Sequence, residues 1–330
     1  MPKIDYDLYL NDYDRGDFDT KRIERKNRRL SEREKRVRFQ ADLLEHAAKV
    51  PLDVQQHFNP SFQPGGHERV WLLNYLEPFY NAQIIADILG RVKGGKEANV
   101  YCCVGHPSTG MDLIAAKVYR PRMFRNLRND SRYRQGRPIM DENGKAVHSR
   151  REKVAIQKNT RFGQELRHVS WLGNEFQTLQ LLHKAGADVP RPLMLGDNVI
   201  LMEYVGGRNA PGEMLNHVIL EPPEARRIFD RLVENLSIML ACHRVHADFS
   251  AYNVLYYEGQ FKIIDFPQAV DPRINPDALA LFIRDVERLC QYFARYNLAC
   301  DASALVTDLW GGYLHAAALD IRPEFEYWTT

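Results

Sequence analysis

The sequence lacks long apolar runs, and no segment approaches the ~18 apolar residues that a membrane helix needs. Its opening, "MPKIDYDLYLNDYDRGDFDT", is acidic and polar, whereas a secretory leader is basic and then apolar. Only 5 of the 330 residues are cysteine, and Cys102 and Cys103 are adjacent, so we do not expect a disulfide framework. The segment "CHRVH" has neither the spacing nor the second thiolate pair of a zinc site. We therefore expect a cytoplasmic protein without a membrane contact.

Charge is distributed unevenly, although the formal net charge is only +2. Residues 1–20 contain six Asp, Lys and Arg dominate residues 21–38, and a second basic tract covers residues 119–137. Each basic tract fits either a solvated helix or loop, or a surface for RNA, a ribosomal particle or a protein substrate. Neither contains the interleaved aromatic residues of an RNA-binding fingerprint, so both interpretations stay open.

The apolar pattern divides the chain into three parts. Residues 1–80 are interpreted as a charged extension, partly disordered and then helical. Residues 81–205 show short strands and one amphipathic helix, with a basic insertion near 121–165, and residues 206–330 are dominated by helices. We therefore predict an α+β protein in which a small antiparallel sheet adjoins a mostly helical half, with a cleft at the joint.

The turn between the first two predicted strands, "KGGKEANVY", can bind phosphate. Gly94 and Gly95 allow backbone N–H groups to approach phosphate oxygens because glycine has no Cβ, and Lys96 adds a positive charge. A plain hairpin turn explains the same letters equally well.

An ion pair is predicted between a strand and the helix that follows it. Lys117 lies in the apolar strand "LIAAKVYR", where an ammonium group needs partners. Glu175 on the downstream helix can turn toward that strand, and the pair would hold Lys117 against nucleotide phosphates. The alternative is a lysine at a strand edge and a solvated glutamate.

Three oxygen-bearing side chains stand in "VHADFSAYNVLYYEGQFKIIDFPQAV". Asp248 follows a helix in a sharp loop, from which its carboxylate can accept a hydroxyl proton. Asn253 precedes one short strand and Asp265 ends the next, so both can supply oxygen ligands to Mg²⁺. The order of these parts along the chain fits phosphoryl transfer, which needs charge neutralisation and positioning.

These segments resemble the RIO family of atypical serine protein kinases, and the long tract between Lys117 and Glu175 resembles its first subfamily. "GGKEANVY" is similar to the family's phosphate loop, "HADFSAYN" to its catalytic loop and "IIDFPQAV" to its metal loop. The helix segment "WLGNEFQTLQLL" is similar to the family's helix with the paired Glu. The likeness covers about residues 85–295.

The resemblance implies a bilobal protein-kinase-like fold with a small antiparallel-sheet N-lobe and a shortened, mostly helical C-lobe. It implies ATP and Mg²⁺ as cofactors and an ATP-dependent serine/threonine kinase with autophosphorylation or ATPase activity, acting on ribosome-related particles. The catalytic residues it implies are Asp248, Lys117 and Glu175, and the metal ligands are Asn253 and Asp265. Nucleotide binding is assigned to Gly94, Gly95, Lys96, Lys117, Met202, Glu203 and Val205, of which Met202 guards the adenine pocket.

Departures from the family pattern and two alternatives remain. Many members have Glu where Ala251 stands. Unlike an ordinary protein kinase, the chain has Phe266 and Pro267 after Asp265 and no room for an activation loop, as is usual in the RIO family. A small-molecule kinase of the aminoglycoside or choline type shares the Asp248 and Asn253 spacing, but only 65 residues follow Asp265 to build its acceptor pocket. A kinase-shaped module that binds RNA or protein is the other alternative.

Overall fold

Antiparallel strands form a five-stranded sheet, and the strands are short because turns and apolar runs alternate in the sequence. Their bounds are Ile85–Gly94 (β1), Ala98–Gly105 (β2), Leu113–Tyr119 (β3), Pro192–Leu195 (β4) and Val199–Glu203 (β5). The spatial order is β1-β2-β3-β5-β4. All neighbouring strands are antiparallel, so the β1–β2 turn and the C-terminal end of β3 lie at the same end of the sheet.

The structure is a computed structural model that describes residues 58–95, 97–119, 154, 157, 158 and 160–318. Four features predicted from the sequence therefore fall outside the described residues wholly or in part. These are Lys96, the basic tract 21–38, the tract 119–137 beyond Tyr119, and the insertion 121–165 except for a few residues at its end.

Helices cover both faces of the five-stranded sheet, and together they form the N-lobe. Helix α1 (Gly66–Asn81) packs on the outer face, and helix α2 (Arg161–Lys184) packs on the inner face. Successive side chains of a strand point to opposite faces, so a strand buried on both faces is apolar throughout. Strand β3 accordingly sends Ile114, Ala116 and Val118 outward and Ala115 and Tyr119 inward. All but the last residue of helix α1 lies in residues 1–80, which the sequence assigned to a charged extension, partly disordered and then helical.

Helices dominate the C-lobe, which also contains a small sheet. The helices are α3 (Pro222–Ala241), α4 (Ala278–Phe293) and α5 (Ala302–Ala318), and the strands are β6 (Glu213–Met214), β7 (Val254–Tyr257) and β8 (Gln260–Ile263). Proline occupies the first turn of α3, where the missing N–H is least costly. The predicted α+β class, with an antiparallel N-lobe sheet and a helical C-lobe, is confirmed.

The β7–β8 hairpin brings two distant chain segments to one place. Asn253 directly precedes β7, and Asp265 follows β8 by two residues. The backbone N–H of Ile264 donates to the carbonyl oxygen of Asn253 at 2.9 Å, which closes the open end of the hairpin. The two side chains that the sequence proposed as metal ligands therefore stand at the same end of the small sheet.

The cysteines differ in one respect from the expectation of no disulfides. Cys290 and Cys300 are bonded, with Cα atoms 5.4 Å apart, whereas Cys102, Cys103 and Cys242 are free and buried. The pair meets because the last turn of α4 faces the segment that leads back into α5. Among the described helices, none combines the length and apolar character required to cross a membrane.

Candidate active site

Lys117 lies in β3 between β2 and β5, with its side chain on the inner face of the N-lobe sheet. Its Nζ atom is 2.6 Å from Oε1 of Glu175, which α2 carries beneath that face. The lysine side chain is 12% exposed and the glutamate side chain 2% exposed, so the pair is shielded from water. The structure therefore brings together the two residues that the sequence paired, and the strand-edge alternative is wrong for Lys117.

Asp265 joins the same cluster from the C-lobe. Its Oδ1 atom is 2.7 Å from the Nζ of Lys117, so one ammonium group bridges two carboxylates. The backbone of Asp265 has a φ of +74°, a conformation that non-glycine residues rarely adopt. Such strain persists only where surrounding contacts hold it, and it concentrates at functional sites.

The pKa values of Lys117 and Asp265 are shifted in the directions that keep both groups charged. Burial alone would lower the pKa of Lys117, but the charges of Asp265 and Glu175 outweigh it and raise the pKa well above its usual value. Burial would likewise raise the pKa of Asp265, but the charge and hydrogen bond of Lys117 lower it below its usual value. Each group therefore keeps the other charged.

Tyr119 fixes the orientation of Glu175, and the sequence did not identify it. Its hydroxyl donates a short hydrogen bond to Oε2 of Glu175, the oxygen that Lys117 does not use. Tyr119 lies two residues beyond Lys117 on the same face of β3, and this spacing was the available signal. Both carboxylate oxygens of Glu175 are therefore engaged.

The catalytic loop, residues 246–253, is held from behind by α4. The buried carboxylate of Asp285 accepts hydrogen bonds from the backbone N–H groups of Ala247, at 2.7 Å, and Phe249, at 3.0 Å. These residues flank Asp248, and Ala247 has a φ of +65°. Arg284, the neighbour of Asp285, donates to the carbonyl oxygen of Ala247. Burial raises the pKa of Asp285 to about 7, although the two N–H donors oppose this change.

Asp248 presents a half-exposed carboxylate at the mouth of the loop. Its Oδ1 accepts from Nη1 of Arg288 at 2.9 Å, and its Oδ2 accepts from Nδ2 of Asn253 at 3.2 Å. The same Nδ2 donates to the Asp248 carbonyl oxygen at 2.9 Å. Arg288 was not identified from the sequence, because nothing in the pattern of α4 indicates which loop that helix contacts.

His246 links the catalytic loop to the metal loop. Its Nδ1 accepts from the backbone N–H of Asp248 at 3.3 Å, so its Nε2 is the protonated nitrogen that donates to the carbonyl oxygen of Ile264 at 3.1 Å. Burial lowers the pKa of His246 in spite of nearby acceptors. A neutral ring satisfies both hydrogen bonds and ties the residue before Asp265 to the loop of Asp248.

The phosphate loop, residues 93–98, distinguishes its two glycines. A Cβ on Gly95 would lie 2.7 Å from the carbonyl oxygen of Ala98, whereas a Cβ on Gly94 would meet nothing closer than 3.8 Å. Of the two positions, only Gly95 therefore needs glycine, because the backbone there lies close to the carbonyl oxygen of Ala98. Lys96 lies outside the described residues.

The segment proposed to bind adenine connects the lobes. Met202 is buried on the inner face, and the backbone N–H of Glu203 donates to the carbonyl oxygen of Arg191 at 2.8 Å. The carbonyl oxygen of Val205 accepts from Gly212 at 2.8 Å. The N–H of Val205 donates to no described residue, so it is a donor that remains for a base.

The family model of the RIO domain matches residues 99–305, more than half of the chain. The chain belongs to the RIO domain family. The match contains the lysine, the paired glutamate, the catalytic loop and the metal loop, and it begins at residue 99, inside the segment "GGKEANVY".

Curated relatives of this RIO chain are named as kinases. It is 31% identical to "Serine/threonine-protein kinase RIO1" of Chaetomium thermophilum over 77% of the chain and 50% of the relative. It is 29% identical to "RIO-type serine/threonine-protein kinase Rio1" of Haloferax volcanii, over 66% of each protein. The first two relatives are matched over 50% and 41% of their length, so the chain spans about half of them. The crystal structure of the Rio2 kinase from Chaetomium thermophilum aligns with a TM-score of 0.46 at 15% identity, covering 75% of this chain and 78% of that one.

The RIO resemblance assigns two oxygen ligands to Mg²⁺, and the donor set fits that ion. Asn253 uses its Nδ2 for hydrogen bonds, and its Oδ1 accepts none from a described residue. Asp265 uses Oδ1 for Lys117, and its Oδ2 likewise accepts none. An amide oxygen and a carboxylate oxygen are hard ligands of the kind Mg²⁺ prefers when phosphates and waters complete its shell.

Proposed function

We propose that this RIO chain binds ATP with Mg²⁺ and transfers the terminal phosphoryl group to serine or threonine, to itself or to water. The observation that supports the proposal is the bridge from Lys117 to Glu175 and Asp265. It joins the N-lobe to the metal loop through distances of 2.6 and 2.7 Å. A fixed ammonium group next to a carboxylate is the arrangement that binds the phosphates of a metal-chelated nucleotide.

The chain's own residues divide the work. Lys117 neutralises phosphate oxygens, and Glu175 and Tyr119 keep it in place. Asn253 and Asp265 would hold Mg²⁺, which when bound neutralises charge on the phosphate oxygens. Asp248 stands at the loop mouth, where it can orient an acceptor hydroxyl and take its proton. Val205 offers a backbone N–H to the base.

The acceptor side of the site is open. The side chains of Asp248 and Arg288 are 42% and 38% exposed and that of Asp265 is 42% exposed, in contrast to the buried Lys117 and Glu175. An open acceptor side is compatible with transfer to a large partner, to the chain itself or to water. We propose ribosome-related particles as the partner and the basic tracts 21–38 and 119–137 as its contact, a step that depends on the sequence alone.

The test is ATP turnover and autophosphorylation with Mg²⁺, measured with and without ribosomal particles. We expect Asp248→Asn to abolish turnover and to retain nucleotide binding, because its carboxylate acts on the acceptor. Lys117→Ala should reduce turnover and, unlike Asp248→Asn, should also weaken nucleotide binding. Asp230→Asn on the surface of α3 is the matched control. Unchanged turnover in Asp248→Asn, or no turnover by the wild type under any condition, would refute the proposal.

A further inference from the structure

Strand β1 contains a β-bulge immediately before the phosphate loop. Arg91 pairs with Tyr101 and Lys93 pairs with Val100, so Val92 is an extra residue without a partner in β2. Residues two apart in a regular strand point to the same face, and one extra residue reverses the face of everything that follows. Bulges of this kind redirect side chains beside functional sites.

The bulge sends Arg91 and Lys93 to opposite faces of the sheet. Arg91 is on the outer face, where its Nη1 lies 3.1 Å from Oε2 of Glu68 in α1. Val100, the partner of Lys93, is in turn the partner of Lys117 in β3. Directly paired residues share a face, so Lys93 lies on the inner face in register with Lys117.

The two lysines differ in their partners. Lys117 is bound to Glu175 and Asp265, whereas Lys93 is exposed and makes no hydrogen bond or ion pair with a described residue. Two strand spacings, about 10 Å, separate their backbones. An uncommitted ammonium group thus faces the space between the phosphate loop and the metal loop.

We propose that Lys93 is a further phosphate-binding lysine, in addition to Lys117 and the Lys96 assigned from the sequence, and that the bulge at Val92 turns it toward the β- and γ-phosphates of the bound nucleotide. This inference depends on the proposed function, because it adds a ligand to the same nucleotide site. Since the side chain is exposed and has no partner among the described residues, its replacement leaves none of their buried groups without a partner, and the fold should tolerate it.

The experiment compares the binding of ATP, AMP and adenosine to the full chain by calorimetry. The variants are Lys93→Gln, the charge-conserving Lys93→Arg, and Lys184→Gln at the far end of α2 as the control for loss of one positive charge. We expect Lys93→Gln to weaken ATP binding about tenfold, the effect of one charge-assisted hydrogen bond. Adenosine binding should not change, AMP binding should change little, and Lys93→Arg should restore most of the ATP affinity.

The outcomes separate this inference from the proposed function. If the wild type binds no ATP, the proposed function fails first. If the wild type binds ATP and Lys93→Gln binds it equally well, only the role of Lys93 is refuted. An equal loss for ATP and adenosine also refutes it, because the side chain would then act on the base or the fold. Loss in the Lys184→Gln control would show a nonspecific charge effect and would likewise overturn the inference.

Discussion

The catalytic loop and the phosphate loop are each held by one helix carboxylate, but the two anchors act at different points. Asp285 of α4 is fully buried and binds the backbone of the catalytic loop itself, at Ala247 and Phe249. Glu68 of α1, with a side chain 12% exposed, binds side chains in the strands that flank the phosphate loop. Its partners are Arg91, Asn99 and Tyr101.

This difference indicates which loop is formed before a ligand binds. Backbone hydrogen bonds fix the dihedral angles next to Asp248, including the positive φ of Ala247, without any contribution from a nucleotide. The side-chain bonds of Glu68 at the base of the phosphate loop fix the two strands, and none of them reaches the backbone of Gly95. Disturbing the first anchor should therefore affect both folding and turnover, whereas disturbing the second should affect mainly nucleotide affinity.

The largest effect is expected from Asp285→Ala. Removal of the carboxylate leaves two buried backbone N–H groups without acceptors, which costs about 3 kcal/mol of unfolding free energy. Turnover should also fall steeply because the loop of Asp248 is released. Urea unfolding and ATP turnover measure the two losses. Glu287→Ala, two residues along α4 and exposed, is the matched control and should change neither. A stable and active Asp285→Ala protein would contradict the backbone-anchor comparison.

The same carboxylate should make stability depend on pH. The pKa of Asp285 is about 7 in the folded protein, against a usual value of 3.8. Between these values only the folded state holds the proton, so the free energy of unfolding falls as pH rises, by at most about 1.4 kcal/mol per unit. We expect the wild type to show a steeper fall from pH 4 to pH 7 than Asp285→Asn, which does not titrate. Parallel curves in urea unfolding would disprove this assignment.

The sequence predicted the parts of the site that interrupt an apolar pattern. Lys117 stands out inside an apolar strand, Asp248 follows a helix in a sharp loop, and Asp265 ends an apolar run, so their positions could be predicted before the structure. Asp285 and Arg288 could not, because their partners lie 36 to 40 residues away and Asp285 binds backbone groups that carry no sequence signal. An acidic residue on the buried face of α4 was the one available indication.

On the phosphate loop, a pair of glycine substitutions separates close backbone approach from simple flexibility. Gly95→Ala should weaken ATP binding several-fold, because its Cβ would lie 2.7 Å from a backbone oxygen that cannot move without changing the turn. Gly94→Ala meets only the Oδ1 of Asn99 at 3.8 Å and should bind ATP almost normally. Calorimetric ATP titration of both variants measures the contrast. Equal losses would mean that the loop needs flexibility at both positions and that no single close approach defines it.

The smallest effect is expected from Glu68→Gln, which tests the indirect anchor alone. In the wild type the Tyr101 hydroxyl donates to Oε1 of Glu68 at 2.6 Å, and the amide of the variant can still accept this hydrogen bond. The variant loses the ion pair with Arg91, a partly exposed contact that contributes about 0.5 kcal/mol. We expect a free energy of unfolding close to that of the wild type and a loss of ATP affinity of about two- to three-fold. Glu77→Gln on the same helix is the control. A loss of stability in Glu68→Gln as large as that in Asp285→Ala would contradict the comparison. The side-chain bonds of Glu68 would then hold the phosphate loop as strongly as the backbone bonds of Asp285 hold the catalytic loop.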